Sequence, residues 1–418
     1  MNFYGASRDT FTLQALIDLE LRAQGINATA VPAFAGPQLM TFVVRSAFGV
    51  DPRRVRRLAD SIADKTGSES CVIHQTARGL VVQLPHSEEQ RRTLSVSQLL
   101  QAISQQQLPV RPSAIPLGID VLGRVAWLDL CDARTPHVGI LGITGSGKSE
   151  LMRWVALWLG WINRPETLRL LVISPKTTDF APLRAARSLL HPPINSTAEA
   201  VRVLAWCVGE IDRRNASGER SPAIVVLVDE IPDLIGEDGR IEAQLGRIAQ
   251  IGRSLGIHLV AGSQRADQGS VGAMIYNLPA RAVGKVGSGS FSYIVSGQAG
   301  SEVDKLLGRG DFLLTSPYSI RFQAPLIDGE WDQLKRGPEQ CLDLPISWEI
   351  PMRNTRAPER NINATELSAE DMEELHAMFS EGDSIRAVQT RFNLGFARAK
   401  RLQAEWQAQH VEVESWEN

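Results

Sequence analysis

Eight residues, Gly142-Ile143-Thr144-Gly145-Ser146-Gly147-Lys148-Ser149, follow the spacing G-x-x-x-x-G-K-S without a mismatch. Glycines so placed let successive backbone N–H groups turn toward phosphate oxygens, and a helix starting there adds the positive end of its dipole. Lys148 is positioned to reach the β- and γ-phosphates, and Ser149 to offer a hydroxyl to Mg²⁺. The alternative is a glycine-rich turn with no ligand. The flanks favour the phosphate loop: His137 to Leu141 reads as a buried strand and Leu151 to Trp161 as an apolar helix.

A second group lies further along. Ile224-Val225-Val226-Leu227-Val228 is an apolar strand that ends in Asp229-Glu230. Burial of that strand would fix both carboxylates at one sheet edge. Asp229 is then placed to hold Mg²⁺ through its water shell, and Glu230 to orient and deprotonate an attacking water. Gln264 follows the strand His258 to Ala261, where a polar side chain can sense the γ-phosphate or serve as an ordinary turn residue.

The elements that must carry these groups alternate in the βαβα manner of a mainly parallel sheet between Val125 and Ile327. Candidate strands are Val138–Leu141, Leu168–Ile173, Ile224–Val228, His258–Ala261 and Ala282–Val286, several of them continuously apolar, as strands covered on both faces are. Trp154, Trp158 and Trp161 recur at i, i+4 and i+7, which predicts one helical face packed on that sheet. The fold class is therefore α/β.

Ahead of this motor-like region, Thr10 to Gln24 has helical periodicity, Leu39 to Val44 reads as a strand, and Pro52 to Thr66 as a helix. Two short strands, Cys71–Gln75 and Gly79–Leu84, complete a small α/β module. Arg53, Arg54, Arg56 and Arg57 on its helix make either a solvated face or a DNA-facing collar. Gln101–Gln107 and Pro109–Pro116 read as a loop. The expected division is an N-terminal helical segment over 1–35, the small module over 36–124, the motor over 125–328, a Pro-rich linker over 329–364 and a helical unit over 365–418.

Within the last unit, Asp383 is a plausible N-cap for a helix over Ser384–Phe392, and Phe396–Gln407 forms a second helix after a turn at Asn393-Leu394-Gly395. This is a helix-turn-helix pattern. Glu366 to Asp383 holds seven acids and no Lys or Arg, whereas Arg386 to Arg401 holds five bases and no acid. Arg386, Arg398, Lys400 and Arg401 thus become candidate DNA contacts, with a protein–protein clamp as the alternative.

Whole-chain properties bound these readings. The 418 residues carry a formal charge of −3, with 43% hydrophobic and 22% charged residues, as in an ordinary globular protein. Any nucleic-acid contact must then be local. Cys71, Cys131, Cys207 and Cys341 lie far apart, which predicts scattered thiols in a reducing compartment. No signal peptide or apolar run of about 20 residues is visible, so a cytoplasmic location is expected.

Several further stretches carry a resemblance. They are Pro136-His137, Gly246-Arg247-Ile248-Ala249-Gln250 through Gly256-Ile257-His258-Leu259-Val260 to Ser263-Gln264-Arg265, Asn277-Leu278-Pro279-Ala280-Arg281, and Gly308-Arg309-Gly310-Asp311. With the phosphate loop they resemble the FtsK/SpoIIIE family of double-stranded DNA translocases. Ser384-Ile385, Val388-Gln389, Arg391-Phe392, Gly395-Phe396, Arg398-Ala399 and Arg401-Leu402 are similar to that family's winged-helix γ domain.

The resemblance implies a RecA-like P-loop ATPase motor with ATP and Mg²⁺, assembled as a homo-oligomeric ring, expected to be a hexamer, around duplex DNA. No small-molecule substrate other than ATP is expected. It also implies an arginine acting across the subunit seam, for which Arg213, Arg214 and Arg281 are candidates. Arg240 and Arg265 fall in the stretches Gly236–Arg240 and Arg265–Tyr276, expected to line the pore beside Glu237, Asp238 and Asp267. The chain departs from the family pattern in three places. Arg214 and Ile224 are close together, Ser174 precedes Pro175-Lys176, and Ala397 stands where the family has a polar DNA-reading residue. The family's membrane-spanning region has no counterpart, so a role in plasmid, phage or mobile-element DNA transfer or partition is expected. Two other functions fit the same motifs: an ATPase moving protein, and a DNA-binding regulator switched by ATP.

Overall fold

The computed structural model describes residues 8–47, 49–76, 79–106, 111–264, 277–298, 300–316, 319–327, 369–380, 388 and 402. The chain divides into two units, Met1–Ile350 and Pro351–Asn418.

The first unit begins with α1 (Arg8–Ala23), β1 (Ala28–Ala35), β2 (Leu39–Ser46), α2 (Pro52–Arg56), α3 (Ala59–Thr66), β3 (Val72–Thr76) and β4 (Gly79–Pro85). The four strands form an antiparallel sheet in the order β1-β2-β4-β3. Ile17 and Leu21 of α1, Ile62 of α3, and Phe42 and Leu84 of the sheet are its fully buried core. The helix expected over Pro52–Thr66 is two helices, and β1 was not legible. Pro32 sits in β1 next to a register shift at Pro32/Phe34, and β1 is an edge strand, where a proline removes no ladder hydrogen bond.

Next come β5 (Leu94–Ser95), α4 (Val96–Gln106), β6 (Ala114–Asp120) and β7 (Val125–Asp129). The loop expected over 101–116 is thus largely helix and strand. Glutamines disguised α4, whose buried face is Leu99, Leu100, Ala102 and Ile103. Pro116 disguised β6, which tolerates it at a bulge between Pro116 and Gly118. A Cβ on Gly118 would lie 1.9 Å from the Gln323 carbonyl oxygen, so only glycine permits that approach.

The remainder runs β8 (His137–Leu141), α5 (Lys148–Ile162), β9 (Leu168–Ile173), α6 (Thr197–Ser217), β10 (Ala223–Val228), α7 (Ile231–Glu237), α8 (Arg240–Ile251) and β11 (Ile257–Ser263). It ends with β12 (Ala280–Val283), α9 (Gly289–Ser296), β13 (Asp311–Leu314), β14 (Ile320–Gln323) and β15 (Pro325–Leu326). Nine strands make one sheet in the order β7-β6-β14-β13-β12-β8-β11-β10-β9. The five from β12 to β9 are mutually parallel, and the four from β13 to β7 pair antiparallel. The expected parallel strands are all present within a few residues, while the sheet starts at Ala114 rather than at Val125.

Trp154 and Trp158 are wholly buried. Each removes roughly 200 Å² from water, an upper estimate of about 5 kcal/mol apiece. Their indole N–H groups donate to the carbonyls of Pro116 at 2.5 Å and Ala114 at 2.8 Å. The helix behind the phosphate loop is therefore pinned to β6. Among the described residues, no helix is long and apolar enough to cross a membrane.

In the second unit, the described residues include α10 (Ala369–Ser380), which buries Leu375 and Phe379 at i and i+4. The helices expected over Ser384–Phe392 and Phe396–Gln407, and with them Arg386, Arg398, Lys400 and Arg401, lie outside the described residues, as does the linker.

Candidate phosphate-binding site

Parallel order puts the carboxyl ends of β8, β11 and β10 side by side, and the site is built there. The loop after β8 turns on Gly142, Gly145 and Gly147, at φ of 157°, 83° and 97°. Gly147 is the N-cap of α5, and a Cβ there would lie 2.5 Å from the Gly310 nitrogen. Glycine is required at that position by conformation and by space. The end of β11 and the segment after β12 grip the loop: the Gly142 N–H donates to Ser263 O at 3.3 Å and the Ile143 N–H to Lys285 O at 3.1 Å.

Lys148 is the first residue of α5 and is only 3% exposed. Its ammonium donates to Asp229 Oδ1 and lies 3.0 Å from Glu230 Oε1. The second approach lacks hydrogen-bond alignment, since Glu230 Oε1 has no hydrogen-bond partner. Asp229 Oδ1 also accepts the Glu230 N–H at 3.0 Å. One ammonium thus faces two buried carboxylates, a formally anionic cluster suited to a cation.

Glu230 adopts φ 51° and ψ 51°, a left-handed conformation unusual for a non-glycine residue. Such conformations persist where surrounding contacts over-determine them, and they gather at functional sites. Here the Gln264 N–H donates to Glu230 Oε2 at 3.2 Å, and Thr144 Oγ1 donates to Gln264 Oε1 at 3.1 Å. Gln264 therefore ties the phosphate loop to the second carboxylate.

The arrangement fits a nucleotide triphosphate with Mg²⁺. Ile143, Thr144, Gly145 and Ser146 supply backbone to a helix N-terminus, and Ser149 and Asp229 are hard oxygen donors of the kind magnesium takes.

The candidate arginines are placed differently from one another. Arg214 is buried within its own chain, donating to Glu210 Oε1 at 2.7 Å and to the carbonyls of Leu255, Arg220 and Pro222. Arg281 donates to the Leu278, Ile294 and Val295 carbonyls, the last two in the final turn of α9. Arg213 is half exposed and paired with Glu210 and Glu219. Hydrogen bonds from Arg213 and then Arg214 draw the Glu210 carboxyl down to about 2. Arg240 is exposed at the start of α8 and chelates its own Asp238, with Nη2 to Oδ2 at 2.7 Å. Arg265 lies outside the described residues.

Sequence reading assigned no role to Gly308-Arg309-Gly310. The Arg309 N–H donates to Gly145 O at 2.9 Å and the Gly310 N–H to Ser146 O at 2.8 Å. This second loop braces the phosphate loop from behind. Its motif was visible, but backbone donors carry no side-chain signature.

Residues 99–219 match the model of the FtsK/SpoIIIE family. A DNA translocase FtsK of Campylobacter jejuni is 33% identical over 334 residues, 73% of this chain and 35% of its own length. A DNA translocase FtsK of Vibrio vulnificus is 28% identical over 462 residues, covering 95% of this chain and 45% of its own length. The chain thus spans less than half the length of these relatives. Among solved structures, the pCW3 conjugation coupling protein TcpA in a monomer form with ATPγS superposes with a TM-score of 0.50 at 18% identity. That match covers 78% of this chain and 99% of the other, and it shows a shared fold.

Proposed function

Because the chain carries a domain of the FtsK/SpoIIIE family, we propose that it is a P-loop ATPase that drives double-stranded DNA through a homo-oligomeric ring. The observation that carries this reading is the Lys148–Asp229–Glu230 cluster beside Gln264. Two curated relatives bearing the name DNA translocase support the choice of DNA as the moved substrate.

Each residue has a defined task. Lys148 exchanges its carboxylate partners for phosphate oxygens when a triphosphate enters, and the loop amides orient those oxygens. Ser149 and Asp229 would hold magnesium, which supplies charge neutralisation between phosphate oxygens. Glu230, released from Lys148, orients a water and accepts its proton at a carboxylate oxygen. The water oxygen bonds to the γ-phosphorus as the bond from that phosphorus to the β,γ-bridging oxygen breaks; the bridging oxygen leaves on ADP, and the water oxygen stays on the released phosphate. Gln264 links Glu230 to Thr144, so the base and the phosphate loop respond together to nucleotide state.

Of the arginines, Arg213 has the exposure to reach a neighbouring subunit, whereas Arg214 is only 1% exposed and Arg281 caps α9. In this reading the segment 365–418 is a winged helix that loads or orients the motor on DNA. The relative matching 95% of the chain supports a counterpart for that segment. Turnover measured with and without long duplex DNA tests the proposal. Hydrolysis that DNA leaves unchanged would favour an ATP-driven switch instead.

A further inference from the structure

The N-terminal sheet and the phosphate loop are far apart in sequence, yet a continuous set of polar contacts joins them. Gln38 precedes β2 and its side-chain amide donates to the Arg309 carbonyl at 3.0 Å. Gln323 of β14 donates to the same carbonyl at 2.9 Å, so both lone pairs are used. Arg309 itself is held at φ 50°, and its N–H and that of Gly310 hold the Gly145 and Ser146 carbonyls.

Beneath this loop lies a buried ion pair. Arg321 donates to Asp311 with Nε to Oδ1 at 2.9 Å and Nη2 to Oδ2 at 2.6 Å, and the two side chains are 4% and 2% exposed. Asp311 Oδ2 also accepts the Leu307 N–H at 2.8 Å, which closes the loop on itself. The remaining guanidinium arm, Nη1, donates to Gln83 Oε1 of β4 at 2.8 Å. Gln83 in turn approaches His74 of β3 at 3.5 Å.

A buried, fully bonded bidentate pair has a single geometry, and removing one acceptor leaves a charge or donor unsatisfied. We propose that Asp311 and Arg321 are positioning residues for the phosphate loop, registered by Gln38 and Gln83 of the N-terminal module. The module thereby sets nucleotide affinity through backbone contacts, without touching nucleotide. This rests on the reading of the loop as a nucleotide site.

The test uses the whole chain and two readouts: binding of a fluorescent ATP analogue, and amide hydrogen exchange in the peptide spanning 305–314. Gln83→Leu and Gln38→Ala should each weaken binding about five-fold, the scale of one lost hydrogen bond. Both should speed exchange in that peptide while the melting temperature stays within a few degrees. Gln83→Glu retains an acceptor for Arg321 and should restore binding to within about two-fold of wild type. If affinity fell only in step with melting temperature, or if both variants matched wild type in binding and exchange, the relay would be wrong. If wild type bound and Lys148→Ala did not, that failure would leave the nucleotide site standing. A wild type that bound no analogue would remove both.

Discussion

Lys148 Nζ and Glu230 Oε1 lie 3.0 Å apart, with side chains 2% and 11% exposed, where a free carboxylate would be needed for water activation. In the proposed mechanism, Glu230 is thus held by the same ammonium that phosphate would recruit, and nucleotide entry would release it.

Lys148→Met removes the ammonium and leaves Asp229 and Glu230 buried against each other. Binding of an ATP analogue should be lost, and stability should fall by up to about 3 kcal/mol, the scale of a broken buried pair. Calorimetric titration and urea denaturation read the two effects. Wild-type affinity in this variant would refute the assignment of the loop.

Glu230→Gln keeps the shape and removes the base. Nucleotide should bind as in wild type while turnover falls about 10²- to 10⁴-fold. Steady-state phosphate release measures it, and near-normal turnover would assign water activation to another group.

His137 and His258 predict an acid transition. They lie on the adjacent strands β8 and β11, where His137 Nδ1 accepts the Leu259 N–H at 3.0 Å and His258 Nδ1 donates to Pro136 O at 3.0 Å. Burial lowers their values from 6.5 to about 3 and about 4. The unfolded chain therefore binds protons that the folded chain refuses. Their contribution is complete above pH 6.5 and is lost as pH falls toward those lowered values, by about 3 kcal/mol for His258 alone. Urea midpoints between pH 7 and pH 4, run beside His258→Gln, check this; an equal slope in the variant contradicts it.

Arg213 and Arg214 are adjacent yet should behave oppositely. Arg214→Ala removes the partner of three buried or part-buried carbonyls and should destabilise the chain by about 3 kcal/mol or more. Arg213→Ala should leave the melting temperature unchanged and, in this account, lower turnover of the assembled protein only. Mixing it with Glu230→Gln should then give partial activity through complementation across subunits; the absence of any recovery would move the trans role elsewhere.

The grouping of the candidate site was legible: Lys148, Asp229, Glu230 and Gln264, singled out by type and spacing, meet at one sheet edge. The parallel strands were legible too, since burial on both faces produces unbroken apolar runs such as Ala223–Val228. Strands β1 and β6 hid behind Pro32 and Pro116, which local bulges accommodate. The bracing by Arg309, Gly310, Gln38 and Gln83 stayed invisible because register and backbone donors, rather than residue type, create it. Arg214 and Arg281 looked like candidates for catalysis across a seam, and only packing shows how fully their donors are engaged.

ATP turnover by the purified chain, measured against duplex DNA of increasing length, is the decisive measurement. Turnover that rises with length, and vanishes in Lys148→Met, is the predicted result. No hydrolysis under any condition, or hydrolysis indifferent to DNA of every length, would contradict it.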